Sequence, residues 1–209
     1  MVVGKNVHEV AHEHTSRVTS FSDGVFAIAI TILVLNLKVT EGVPLGLQLA
    51  AQWDYILSIG ITFFVIAAAW IAHHRFFRYV KRYDDTVLWL NNLFLFWIAL
   101  FPFLTLVISE FSASKLAAFL YASGMTAASL TFWLLWKYCE KSGFIDNHLK
   151  EKEVRRHERR ALIGAMTFGA SIIVLFWSVP VARFLWLVAI FVFFISDYIY
   201  RALSVVRSD

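Results

Sequence analysis

Lysine and arginine are confined to alternate connections along this chain: of its 19 basic residues, all but Lys38, Lys115 and Arg183 cluster at one set of ends of its long apolar runs. Those runs fall near 18–37, 54–77, 86–109, 115–137, 161–179 and 182–204. Each has about the 20 residues a helix needs to cross a hydrocarbon core of about 30 Å. Because Lys and Arg are retained in cytoplasmic loops, the asymmetry predicts six crossings with both termini in the cytoplasm. Composition agrees, with 59% hydrophobic and 16% charged residues and a mean hydropathy of +0.67, outside the range of soluble domains. The expected fold class is an all-α integral membrane bundle of six helices. It forms a single unit over 1–209, with 138–160 as a charged cytoplasmic loop and helix extension.

The single cysteine, Cys139, permits no internal disulfide and reads as an apolar filler. The N-terminal residues include His8, His12, His14, Lys5 and Arg17 but no apolar run of signal-peptide type, so the first span is expected to be retained. Trp53, Tyr55, Trp70, Tyr79, Tyr83, Trp89, Trp133, Trp136, Tyr138, Tyr198 and Tyr200 lie mostly near predicted helix ends, where amphipathic rings anchor at headgroup level. The segment Lys150-Glu-Lys-Glu-Val-Arg-Arg-His-Glu-Arg-Arg160 interleaves charges at helical spacing, as expected of a solvated extension of the fifth span. Contact with anionic lipid headgroups is its second reading. Interleaved acids and the lack of a recognition motif argue against nucleic acid.

Asp23 sits inside the first run, where a charge at membrane depth costs about 2.5–3.5 kcal/mol and is kept only with a partner, water or a task. Counted from Arg17 at 1.5 Å per residue, it lies roughly 9 Å along the helix, near the cytoplasmic edge. At about 100° per residue, Gly24, Ile28, Thr31 and Leu35 form one stripe roughly 60° wide, with Ser20 and Lys38 near the same line. Asp23, Ala27, Ile30 and Val34 form another about 100° away, so the carboxylate and Thr31 cannot face the same neighbour. Gly24 and Thr31 are also small enough simply to let helices pack closely. The sharper reading makes their stripe a pore lining. Polar residues at the depth of Asp23 are Ser22, Trp70, His73, His74 and Arg75, with Asn91 and Asn92 beyond them. A buried network of Arg17, Ser22, Asp23, one histidine and one asparagine is therefore expected. The plainer alternative is that Ser22 and Asp23 merely match a helix N-terminus, worth about 1 kcal/mol or less for the dipole part.

The residues Arg17-x-x-x-Phe-Ser-Asp-Gly-Val-Phe-Ala-Ile-x-x-Thr31, then Trp70-x-x-His73-His74-Arg75-x-Phe77, then Asn92 with Leu100-x-Pro102-Phe103, resemble the bacterial branch of the transmembrane protein 175 potassium channels. The resemblance spans all six runs. It implies a homotetramer in the bacterial plasma (inner) membrane, with K+ as the permeant ion and lipids around it. The first helices would ring the pore, without the reentrant Thr-Val-Gly-Tyr-Gly filter that this sequence also lacks. By position, Ile28 and Leu35 would form apolar constrictions with Thr31 between them. Arg17, Ser22, Asp23, Trp70, His73 or His74, and Asn91 or Asn92 would hold the pore helix without touching the ion. Four copies follow from the resemblance; the residues themselves require only a cyclic oligomer, since one helix cannot enclose a pore.

Rival classes fare worse. His73 and His74 point about 100° apart on one helix and cannot easily clasp one metal ion or serve one catalytic centre, so neither an enzyme nor a bound cofactor is expected. A haem would need an axial histidine from another span, and the remaining histidines lie in the N-terminal segment or the 138–160 loop. The alternative to a channel is a proton-coupled secondary transporter using Asp23 and a membrane histidine. No inverted repeat or pair of broken helices supports it.

Overall fold

The computed structural model describes residues 7–146 and 151–191. It is helical throughout: α1 (Val7–Ile32) ending in a 3-10 turn (Leu33–Asn36), α2 (Leu45–Ala51), α3 (Trp53–Tyr79), α4 (Asp85–Glu110), α5 (Lys115–Lys141) and α6 (Glu151–Val174), then α7 (Val179–Phe191). No strand occurs among the described residues, only an isolated bridge between Val80 and Ile145. Ser16–Asn36, α3, α4 and α5 are long and apolar enough to cross a membrane. Ala161–Val174 and α7 are shorter apolar helices. The chain turns at 175–177, earlier than the fifth run suggested, and residues 192–204 of the sixth run lie outside the described residues. α6 runs without a break from Glu151 through its charged start into the apolar Ala161–Val174.

Local chemistry accounts for the helix starts. Asp84 caps α4 by accepting from Val87 N at 3.0 Å, and Ser114 caps α5 by accepting from Ala117 N at 3.3 Å. Each satisfies a backbone donor that the helix itself cannot. α5 presents Ala117, Ala118, Ala122, Gly124 and Ala128 to its neighbours. A Cβ added at Gly124 would stand 2.5 Å from Leu104 Cδ1, so glycine is what admits α4 that closely, as small residues do at membrane helix interfaces.

With little hydrophobic drive between helices in lipid, buried hydrogen bonds help to specify the bundle. Thr105 donates to its own Phe101 carbonyl at 2.7 Å. Thr62 must then donate to Thr105 (2.7 Å) and Tyr121 to Thr62 (2.8 Å), because each hydroxyl carries one proton. This one-directional chain joins α5, α3 and α4. At the basic end, Lys81 N donates to the Phe144 carbonyl and Asp146 N to the Tyr79 carbonyl, with Lys81 paired to Asp146 at 3.0 Å. These contacts staple the end of α3 to the segment after α5. Lys137 binds Glu158 of α6 at 2.8 Å.

Candidate functional site

α1 packs against α3 and α4 through Ser22, Phe26, Ala29 and Leu33, all buried. At 100° per residue these four fall within a stripe roughly 40–60° wide. Ile28 (60% exposed) and Leu35 (72% exposed), with exposed Gly24 and Thr31, occupy the far side of the helix. The helix is thus gripped from behind and offers an uncharged strip away from its bundle. Thr31 donates its hydroxyl proton to the carbonyls of Ala27 (2.9 Å) and Ile28 (3.0 Å). With the proton directed into the helix, the oxygen lone pairs are left for the exposed side.

The 3-10 turn modifies this strip. At 120° rather than 100° per residue from Leu33 onward, Leu35 is carried roughly 60° and Val34 roughly 40° further round than a continued α-helix would place them. Ile28, Thr31 and Leu35 then span roughly 100° rather than 60°, and Val34, 53% exposed, comes within roughly 20° of the Thr31 line.

The polar residues separate into a buried chain and an exposed pair. Ser22 donates to the Val18 carbonyl at 2.9 Å, and Asn91 Nδ2 donates to Ser22 Oγ at 3.1 Å. His73 Nε2 lies 2.8 Å from Asn91 Oδ1. As that oxygen can only accept, the imidazole carries its proton on Nε2. Ser22, Asn91 and His73 are each 0–1% exposed. Aromatic rings enclose the imidazole: Phe94 stacks on it at 5.8 Å between centroids, with Phe26 at 5.5 Å and Phe77 at 4.6 Å. His73 Nδ1 has no partner among the described residues.

Asp23 stands on the flank of α1, about 100° from Ser22. It is exposed and accepts from Trp70 Nε1 at 2.8 Å. The Trp70 ring in turn lies against His74, with centroids 5.6 Å apart. Arg17, His74 and Asn92 are exposed and stand outside the buried chain. Between the adjacent pairs, His73 and Asn91 are therefore the buried members.

Sequence reasoning missed the C-terminal end of α1. Tyr55, buried on α3, donates to the Leu33 carbonyl at 2.7 Å, while the side-chain amides of Gln48 and Gln52 bind the backbone of residues 38–43. Gln48, Gln52 and Tyr55 share i, i+4, i+7 spacing, a polar stripe that could have drawn notice. No group of three or more His, Cys, Asp or Glu side chains among the described residues is placed to hold a metal ion.

The model of the family described as endosomal/lysosomal potassium channel TMEM175 matches residues 17–102, the stretch that carries α1 from Arg17 onward, α2, α3 and most of α4. A potassium channel from Streptomyces collinus is 36% identical over 174 residues, covering 79% of this chain and 84% of that one. A potassium channel from Chamaesiphon minutus is 34% identical over 166 residues, covering 76% and 80%. Among solved structures, the crystal structure of a lysosomal potassium-selective channel TMEM175 homolog from Chamaesiphon minutus superposes with a TM-score of 0.79 at 30% identity, covering 88% of this chain and 98% of that one.

Proposed function

The chain belongs to the family of TMEM175 potassium channels, and from that premise we propose that it conducts K+ through a pore ringed by the α1 helices of a homotetramer. Family relatives and the superposed structure are ion channels rather than enzymes. The observation that carries the pore reading is the opposition of faces on α1. Ser22, Phe26, Ala29 and Leu33 are packed, whereas Ile28, Thr31 and Leu35 are exposed on the opposite side of the same helix. A helix so held can line an axis shared with symmetry mates, since a cyclic assembly brings the same strip of every copy to its centre.

In this assembly the four copies of Ile28, and those of Leu35, form apolar constrictions that gate by dewetting. The Thr31 hydroxyl oxygens replace part of the ion's hydration shell between them, favouring K+, which sheds water at lower cost than Na+. Ser22, Asn91 and His73 hold the helix to α3 and α4, and Asp23 with Trp70 sets its rotation from the flank. Arg17, His74 and Asn92 border this grip. The whole chain acts as one six-span unit with both termini in the cytoplasm, in the plasma (inner) membrane of a bacterium. The charged start of α6 faces cytoplasm and lipid headgroups.

Electrical recording of the purified protein in planar bilayers or liposomes, under opposed K+ and Na+ gradients, tests this. Unitary currents reversing near the K+ equilibrium potential are expected. Strictly proton-coupled exchange without such currents would establish a transporter instead.

A further inference from the structure

The outer end of α1 is held by three side chains that serve no catalytic, metal or packing role described above. Gln52 Oε1 accepts from Lys38 N at 2.9 Å and Gln52 Nε2 donates to the Lys38 carbonyl at 2.8 Å. One helical turn earlier, Gln48 Oε1 accepts from Thr40 N at 2.7 Å, and its Nε2 donates to the carbonyls of Thr40 and Val43, each at 2.8 Å. An amide side chain offers the same donor and acceptor as a peptide. Gln48 on α2 and Gln52, at the joint between α2 and α3, keep an i→i+4 bond from Gln52 N to the Gln48 carbonyl at 3.2 Å, a spacing of about 6 Å, close to the roughly 6.6 Å between alternate residues of an extended chain. The pair therefore reads the backbone of Lys38 and Thr40 as a neighbouring strand would. The strap then turns at Gly42, whose φ of 83° favours glycine.

The third member acts on the turn itself. In a continued α-helix, Leu37 N would bond to the Leu33 carbonyl; here it bonds to Val34 O at 3.1 Å. The Tyr55 hydroxyl donates to the Leu33 carbonyl, the acceptor that Leu37 N would take in an α-helix, at 2.7 Å. A 3-10 turn has poorer hydrogen-bond geometry than the α-helix it replaces, and no glycine or proline lies in Ile32–Leu37 to demand it. Tyr55 bonds to the turn from outside it, and Gln52 holds the residue that follows it, Lys38.

We propose that Gln48, Gln52 and Tyr55 are positioning residues for the outer constriction: they hold the last turn of α1 at 3-10 pitch, so that Val34 and Leu35 together line it. This rests on the pore reading above. With the clamp intact, Val34 lies near the Thr31 line and Leu35 just past the Ile28 line. If the turn relaxed to α pitch, Leu35 would swing back between Ile28 and Thr31, and Val34 would leave the pore by roughly 40°.

Substituted-cysteine modification in liposome-reconstituted channels tests the proposal. Val34→Cys and Leu35→Cys are each placed in a Cys139→Ala background, with the clamp intact or released by Tyr55→Phe, Gln52→Leu or both. With the clamp intact, a charged methanethiosulfonate applied from outside is expected to reduce current at both positions. With it released, the effect at position 34 is lost while that at position 35 persists, and oligomeric mass by light scattering is unchanged. If release leaves the pattern at 34 and 35 unaltered, the clamp has no positioning role and the proposal falls while the pore reading stands. Current indifferent to modification at position 35 with the clamp intact removes the pore reading and the proposal with it. Should the double variant fail to assemble, Tyr55→Phe alone, which keeps the ring, decides the question by the same pattern.

Discussion

Trp70 donates its indole N–H to the Asp23 carboxylate at 2.8 Å across the edge of the α1–α3 contact, and neither side chain is buried in the single protomer. The carboxylate stands about 100° from the packed Ser22 line and roughly 80° from Thr31, between the two faces. An acceptor there ties the flank of α1 to α3. The other arm, Ser22 to Asn91 to His73, is buried and links α1 to α4 and α3.

The two arms therefore differ in what they lose on mutation. For the exposed Asp23–Trp70 pair, a double-mutant cycle with Asp23→Ala and Trp70→Phe is expected to give a coupling energy of about 1 kcal/mol, the scale of a charge-assisted bond partly open to solvent. Reversible unfolding in mixed micelles measures it. The permeability ratio of assembled Asp23→Ala should stay at the wild-type value. A well-assembled variant that has lost selectivity would make Asp23 a direct ion site.

Asn91→Ala should be more damaging. It leaves the His73 Nε2–H without its buried acceptor and Ser22 Oγ without its donor, at about 1–3 kcal/mol for each group. Asn92→Ala, one residue on and exposed, should stay within about 0.5 kcal/mol of wild type. Equal effects from the two substitutions in the same unfolding experiment would show that the buried chain carries no stability.

That distinction could not be drawn from the sequence. Asn91 lies in register with Val87, Phe94, Leu95 and Ile98, all buried, and Asn92 with exposed Trp89, Phe96 and Phe103. Both faces of α4 are apolar, because lipid and the protein interior solvate them alike, so periodicity offers no contrast between them. His73 and His74 on α3 pose the same problem. The strip of Ile28, Thr31 and Leu35 was readable because α1 is marked along its length by Gly24, Asp23 and Thr31. The 3-10 turn was not, since it depends on Tyr55 and Gln52, which lie 22 and 14 residues from the atoms they bind.

Thr31→Ala removes an oxygen whose proton is already directed to Ala27 and Ile28 and whose lone pairs are left for the exposed side. If four such oxygens together favour K+ by about 1 kcal/mol over Na+, the permeability ratio should fall by about fivefold. Ile28→Asn should act differently, wetting the constriction and raising open-channel current with a smaller loss of selectivity. Bi-ionic reversal potentials and unitary conductances separate the two effects. Unchanged values in both variants would put the ion path elsewhere.

Asp84 contributes to the acid sensitivity of the fold. Its carboxylate accepts from the Tyr138 hydroxyl at 2.6 Å and from Val87 N at 3.0 Å. These bonds, the tyrosine's first, hold its carboxyl below the usual carboxylate range. A folded pKa lowered in this way contributes stability that is present above the unfolded value of about 3.9 and is lost as pH falls through the folded one. The wild-type protein should therefore lose thermal stability below about pH 4. Asp84→Asn, which still accepts both bonds but cannot ionise, should start from a lower Tm at pH 7 and show a shallower fall. Tyr138→Phe should show the same flattening, because it withdraws the bond that depresses the carboxyl most. Melting curves in detergent from pH 7 to pH 3 provide the measurement, and parallel curves for all three proteins would mean that the joint between α4 and α5 does not set the acid limit.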